Sequence, residues 1–517
     1  MFTNQNQLML KTRNIYQILL IMLCLCQISK AQDSVSFFQD FKNQYNTERG
    51  FKQQYYYNPA NMLDYSFYSF SELRLDYFEQ KDKIYRQQKG SGEQGIGVST
   101  RSFQKLNDRK VLWGSASYQN LKQNKIKWNE NLDYDRVAPY ISSDSVGGDI
   151  EIERYNFLGG YGQKFNQFSI GAQLSYQAQL GSRARDPRLN NTTSELGIKI
   201  GAGYNFYRNL SVDVFVEGNK YQQNSTVRFV NSLGQPLVYQ MTGLGIYNSF
   251  FTGGASVQSS VHEEYSYKTG LKLGDKTGRN FYVLANIGQS TMERNFRGTL
   301  NRYLVISDLD RNYMEVEAAK FFQLNDHRLG VKANFLSTKT KGTEFGYSNN
   351  EKLTSLIYKR LSYKKEDEIT GLSLYYAVNK ENFSLSFAPY YNYQKTTEQR
   401  ILPYSGQKFE YNTMGVTIDY THKIAKNQIV SFHPFFDYKS VVSAKNVLST
   451  NAVNAINNWI IEDFNYLSSD ITTIGANLRY DLKLEKLPAF FVSGSFIQSK
   501  IQSKNNNYSS VSLGITF

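Results

Sequence analysis

Apolar and polar residues alternate with a period of two in blocks of about ten, the pattern of strands buried on one face. Leu196, Ile198, Ile200, Ala202, Tyr204 and Phe206 share one face. Leu210, Val212, Val214 and Val216 share the next, with Asp213 and Glu217 opposite. The alternation returns at Leu329, Val331, Ala333 and Phe335 against Lys332 and Asn334. It returns again at Ile474, Ala476, Leu478, Tyr480 and Leu482 against Asn477, Arg479 and Asp481. A soluble sandwich yields a few such blocks, but seldom so many.

The connections alternate in length. Short polar turns fall at 107–108, 164–166, 208–209, 274–278, 325–326, 379–382, 423–427 and 483–488. Longer polar stretches lie between them, at 80–92, 120–150, 180–192, 224–261, 291–310, 338–366, 395–408, 440–469 and 500–507. Short turns at one end and long loops at the other mark a transmembrane barrel, with the turns periplasmic and the loops extracellular. The expected fold is therefore all-β, a transmembrane antiparallel β-barrel of about 18 strands (16–20) occupying roughly 61–517. One strand at 63–78, eight hairpins and a last strand at 508–517 make up the count, and an even number returns both termini to the periplasm. Segment 246–258 is assigned to a loop.

The two chain ends fit that reading. Val511, Leu513, Ile515 and Phe517 alternate with Ser510, Ser512, Gly514 and Thr516, and the chain ends on the aromatic. This resembles the C-terminal signal read by the outer-membrane insertion machinery. At the other end, Lys11 and Arg13 precede an apolar run, Ile15 to Cys26, and Ser29-Lys30-Ala31 supplies a small-x-small cleavage pattern. Residues 1–31 thus read as a secretory signal peptide cleaved after Ala31, which directs the chain toward the cell outer membrane. A lipoprotein signal is the competing reading, but Leu23 and Leu25 are too large for a good lipobox. Both cysteines, Cys24 and Cys26, lie in this leader. The mature chain then has no thiol chemistry and no disulfide framework.

Composition changes the picture modestly. The 40 Tyr and 34 Phe supply aromatic girdles at the two membrane interfaces; Tyr204 and Phe206, and Phe321 and Phe322, lie beside short turns. Removing Lys11, Arg13 and Lys30 with the leader lowers the net charge from +14 to +11. The charges are scattered rather than clustered, so no nucleic acid is expected. The expected partners are outer-membrane lipid and lipopolysaccharide, the insertion machinery, and a TonB-dependent receptor or periplasmic protein. Residues 32–60, with Phe37, Phe38, Phe41 and Tyr55-Tyr56-Tyr57, are too aromatic for a plain tail and read as an N-terminal periplasmic segment or plug.

A series of short motifs carries a family resemblance. Trp113-Gly114-Ser115-Ala116-Ser117-Tyr118, Pro139-Tyr140, Asp144-Ser145-Val146-Gly147-Gly148, Arg185-Asp186-Pro187-Arg188 and Gly243-Leu244-Gly245 occur in that order. Together they resemble a domain-of-unknown-function family of bacterial outer-membrane β-barrel proteins, from about Asn58 to the C-terminus. The resemblance implies fold and location and brings no activity. Asn58-Pro59-Ala60 is also similar to an element of long-chain fatty-acid transporters, an analogy of three residues.

No cofactor or metal site is expected, since the chain lacks His-x-x-x-His pairs, calcium loops and phosphate-cradling glycine motifs. His262, His327, His422 and His433 have no partner that the sequence identifies, so no enzyme is expected. A lipid-release assay tests the phospholipase form of that alternative. Alternation points Lys199, Asp213, Glu217, Lys268, Lys272, Glu315, Glu317, Lys332, Asp419, Arg479 and Asp481 into the lumen. Both signs occur, so strong ion selectivity is not indicated. Arg185 and Arg188 are candidates for lumen or ligand contact around the stiff Pro187. The leading function is a channel or uptake accessory for a small or amphipathic solute. The alternative is a non-transporting surface barrel whose long loops bind or anchor a partner.

Overall fold

The computed structural model describes residues 36–231, 236–253, 257–298, 302–348, 355–450 and 453–517. The leader and its cleavage site lie outside these residues. Eighteen strands, from Phe70–Lys81 to Lys504–Thr516, form one sheet in which each pairs antiparallel with its neighbour in sequence. The last strand then pairs with the first, from Glu72–Thr516 to Lys81–Asn507, and closes the barrel. Leu75 lies opposite Leu513 and Leu73 opposite Ile515, so the C-terminal apolar series forms part of the closing seam. The Phe517 backbone completes the seam by exchanging two hydrogen bonds with Ser71.

Each strand turns one face to lipid. Leu75, Ile96, Leu174, Ile198, Ile200, Val214, Val216, Leu271, Ile287, Leu372, Leu478, Val492 and Leu513 all point outward and exposed. Together they form the apolar belt that a membrane-spanning barrel requires. Near the periplasmic turns Phe168 stacks on Tyr204 with ring centroids 4.6 Å apart, and Phe206 and Phe322 are exposed beside them. Phe321 differs from expectation: alternation turns it inward, where it is buried. No helix among the described residues is long and apolar enough to cross a membrane.

All eight short turns fall where the sequence places them, but the loops are shorter than expected. The strands run on beyond the bilayer: His327–Tyr347 and Leu356–Asn379 span 21 and 24 residues, against the 9–11 a bilayer needs. The runs Ser337–Glu344 and Lys364–Glu368 are polar on both faces and so resemble loops in hydropathy. Ladder bonds and opposite-charge pairs across strands, Lys339–Glu366 and Lys365–Glu398, continue them. The 395–408 and 500–507 loops accordingly shrink to tight connections between Arg400 and Ser405 and between Ile501 and Lys504. Of segment 246–258, residues 246–253 lie outside the barrel strands, with Ile246–Tyr247 in a small separate sheet alongside Tyr239–Gly243 and Ser142–Ser143, and 257–258 begin the barrel strand Val257–Asp275.

The first barrel strand begins at Phe70, not near residue 63. Before it the chain forms α1 (Phe37–Gln44), α2 (Thr47–Phe51) and a 3-10 turn at Pro59–Asp64. Pro59 sits in the first turn of that helix and the Asn58 side chain caps the Ala60 N–H at 2.9 Å, which commits 59–64 to a helical turn rather than a strand.

Candidate functional site

The interior is occupied from both ends. From the periplasmic side, residues 36–66 lie against the inner wall. Phe38 and Phe41 of α1 pack on Ile429 beside a periplasmic turn. Glu48 of α2 accepts two 3.0 Å hydrogen bonds from Arg328 and lies 2.9 Å from Lys52. Burial opposes ionisation of Glu48, but these two cations outweigh it and hold its carboxyl below the usual range. Phe51 and Tyr55 join Tyr282, Leu284, Phe321 and Tyr375 in a buried aromatic cluster.

The lumen-facing charges selected from the sequence meet this segment. Lys332 donates to the Phe51 carbonyl at 2.8 Å and lies 3.5 Å from Glu317. Lys272 pairs with Asp213 and stands over the Tyr55 ring. Lys199 and Lys268 lie 3.2 and 4.1 Å from the centre of the Tyr57 ring, whose hydroxyl donates to Glu217. Lys268 is also 3.8 Å from Glu315. Arg479 is held by Asp481 at 2.8 and 2.7 Å, lies 3.3 Å from Glu72, and covers the Tyr45 ring.

Asp419 is different. It takes a hydrogen bond from Ser386 at 2.9 Å and lies 2.7 Å from His433 Nδ1. The sequence did not identify this partnership. A carboxylate placed between hydroxyl and imidazole is not the order of a nucleophile–base–orienter relay.

The wall is shaped to receive the 3-10 turn. A Cβ at Gly201 would lie 1.9 Å from Asn58 Oδ1, and one at Gly171 2.4 Å from the Pro59 backbone. Only glycine allows so close an approach. Trp113 completes the seat: it packs with Met62, Leu63 and Tyr65, and its indole donates to Gln173 at 3.2 Å.

From the extracellular side, three connections fold inward as a cap: 127–147 with α3 (Tyr134–Val137), the described residues of 229–253, and those of 448–470 with α4 (Asn454–Leu467). Their core contains Trp128, Val137, Tyr140, Ile141, Met241, Ile456 and Trp459, and the two indoles stack 5.2 Å apart. Arg136 forks onto Glu195 at 2.8 and 2.9 Å and reaches Glu264 at 3.1 Å, tying the cap to the wall. Asp463 of α4 receives Arg86 at 3.0 Å and Gln88. His262 is fully buried beneath the cap, 2.9 Å from the Tyr140 carbonyl.

Along Arg188–Tyr207, Glu195 touches the cap and Lys199 the N-terminal segment, with only Gly197 facing inward between them. Arg74 and Asp76, 35% and 22% exposed, and His433 and Asp419, 31% and 26%, face the interior and remain open to water.

Arg185 and Arg188 stay at the outer rim. Arg188 is half exposed against Asp186, at 2.9 Å, and Arg185 lines an outer cavity. Their neighbour Arg183, which alternation does not single out, is the buried member, 2.7 Å from Glu130. Burial and the neighbouring Asp144 carboxyl push Glu130 well above the usual carboxylate range. Among the described residues no cluster of three or more His, Cys, Asp or Glu side chains is arranged to hold a metal.

A closed 18-stranded barrel with an apolar belt and an occupied polar interior defines an outer-membrane β-barrel protein. The chain belongs to the family of unknown function DUF6850, whose model matches residues 59–517. No curated protein matches the sequence. Similar solved structures include BauA, the ferric preacinetobactin receptor of Acinetobacter baumannii, at 10% identity. That match covers 87% of this chain and 80% of that one, with a TM-score of 0.40. The siderophore receptor PiuA of the same organism shows 7% identity, coverage of 86% and 82%, and a TM-score of 0.40. The ferric enterobactin receptor PfeA of Pseudomonas aeruginosa, a mutant form, shows 8% identity, coverage of 86% and 80%, and a TM-score of 0.38.

Proposed function

We propose that this protein is a gated uptake barrel of the outer membrane, in which residues 36–66 form a displaceable plug. The observation that carries the reading is how the segment is held. Polar and charge-paired contacts to wall residues of both signs, Arg328, Lys332, Glu217, Glu72 and Arg479, divide its apolar packing into three separate clusters. Such a contact surface separates at lower cost than a continuous apolar core, because the freed groups on both sides can be hydrated. An 18-stranded wall is wide enough for an aqueous path once the segment leaves. Because α1 sits at the periplasmic mouth, with Lys42 on the Lys380 carbonyl at 3.1 Å, a periplasmic protein or a partner receptor has a handle for displacing it.

Liposome swelling tests this directly. Vesicles containing the mature full-length protein are expected to exclude small sugars, and vesicles containing a variant lacking 32–66 to admit them. Swelling by neither protein favours the second reading, a non-transporting surface barrel. The folded cap, with its own aromatic core, is the observation behind that alternative.

A further inference from the structure

A large extracellular cavity plays no part in gating. It holds about 900 Å³ and is bounded by the strand ends at 122–127 and 146–151, the 182–185 turn, residues 83–87 and the outer side of α4. Its charge is lopsided. Lys83, Lys125, Lys127, Arg185 and Lys504 line it and form no ion pair among the described residues. Lys122 is matched by Asp149 at 2.9 Å, and Glu151 and Glu462 are the other two acidic groups.

The local backbone gathers these cations. A register shift between Gln123 and Ile126 breaks the strand alternation, and Lys125 adopts a left-handed φ of 53°. Its N–H donates to Asp149 at 2.9 Å. Bulges of this kind at barrel rims re-aim side chains; here they bring Lys125 and Lys127 to the same cavity. The Asp144–Gly148 run, singled out in the sequence, forms the support. Asp144 Oδ1 accepts the Val146 and Gly147 N–H groups at 2.7 and 2.8 Å. A Cβ at Gly147 would lie 2.1 Å from the Ile126 carbonyl oxygen, and one at Gly148 3.1 Å from Arg183 Cδ. Arg183 itself is 4% exposed; its Nη1 is bonded to Glu130 and Pro187, and its Nε and Nη2 have no hydrogen-bond partner. Both atoms are buried, and Nη1 also lies 3.9 Å from Asp144, so Arg183 supports the cavity floor from beneath while the five cations above it face the cavity.

We propose that this cavity binds a phosphorylated ligand at the cell surface. Five cations without ion pairs exceed what a single carboxylate needs and suit a multiply charged oxyanion, for which lysine acts as a point charge and arginine as a fork. Phosphate of this kind is carried either by a free solute or by a lipopolysaccharide headgroup. The site stands apart from the gate, since none of these residues touches the plug.

The test uses full-length mature protein and the double variant Lys125→Gln/Lys127→Gln, whose side chains support no folded core. Pyrophosphate is titrated by calorimetry at low and high salt, and flotation with lipopolysaccharide-containing and phosphatidylcholine vesicles is measured alongside. Salt-sensitive binding of pyrophosphate, at least tenfold weaker in the variant, establishes a site for free phosphorylated solutes. Variant-sensitive enrichment on lipopolysaccharide vesicles without pyrophosphate binding assigns the site to a headgroup. Equal behaviour of the two proteins toward both probes overturns the proposal. Swelling by the plug-deleted barrel would be untouched by that failure.

Discussion

At the residue scale, the most informative positions in the wall are two glycines, because they record the presence of something inside. Gly171 and Gly201 stand on neighbouring strands, where the Pro59 backbone and the Asn58 side chain come within 2.4 and 1.9 Å of the place a Cβ would take. In sequence both read as ordinary small residues on the polar face. Their meaning depends on a partner more than a hundred residues upstream, so it was not legible there. Gly201→Val is expected to force the turn off its seat at a cost of about 1–3 kcal/mol. Trypsin added from the periplasmic side should then cut at Arg49 or Lys52 roughly tenfold faster, while the gel mobility of the folded barrel is unchanged. Unaltered cleavage would show that the close approach does not hold the segment.

At the scale of elements, the strands and turns were legible because period-two alternation and tight polar turns are local signals. The aromatic content of 32–60 pointed to a periplasmic segment or plug, but where that segment docks, and the inward fold of the cap, were not legible, because their ion pairs join distant parts of the chain: Glu48 with Arg328, Arg86 with Asp463. Alternation selects charges for the inner face from local pattern alone; it could not say that Tyr57, Phe51 and Tyr45 would meet them. Arg328→Met tests the docking of α2. It leaves Glu48 with Lys52 alone and removes about 3 kcal/mol of docking, which raises the undocked population roughly a hundredfold. The pH dependence follows from the lowered Glu48 carboxyl. Stability from a depressed acid is complete above its unfolded value near 4.5 and is lost as pH falls through the folded value. Protease sensitivity of the plug should therefore rise below about pH 4, and Arg328→Met should flatten that rise. A steep acid response in the variant would assign the transition to another group.

At the scale of the whole molecule, the fold joins a rigid cylinder to two inward-folded closures of different character. The cap is built on one aromatic core with stacked Trp128 and Trp459; the N-terminal segment joins three separate apolar clusters with charge pairs between them. Both contact the strand Arg188–Tyr207, through Glu195 and Lys199, while Arg74, Asp76, Asp419 and His433 on other strands stay wet. In the proposed function, motion belongs to the N-terminal segment and recognition to the extracellular face. The family motifs follow the same division: Pro139-Tyr140 and Gly243–Gly245 pack in the cap, Asp144–Gly148 beneath the outer cavity, and Trp113 against the plug. The most direct measurement is single-channel conductance in a planar bilayer, with the mature full-length protein beside the variant lacking 32–66. A displaceable plug predicts a silent full-length protein and discrete steps from the variant. Large steady steps from the full-length protein would contradict it.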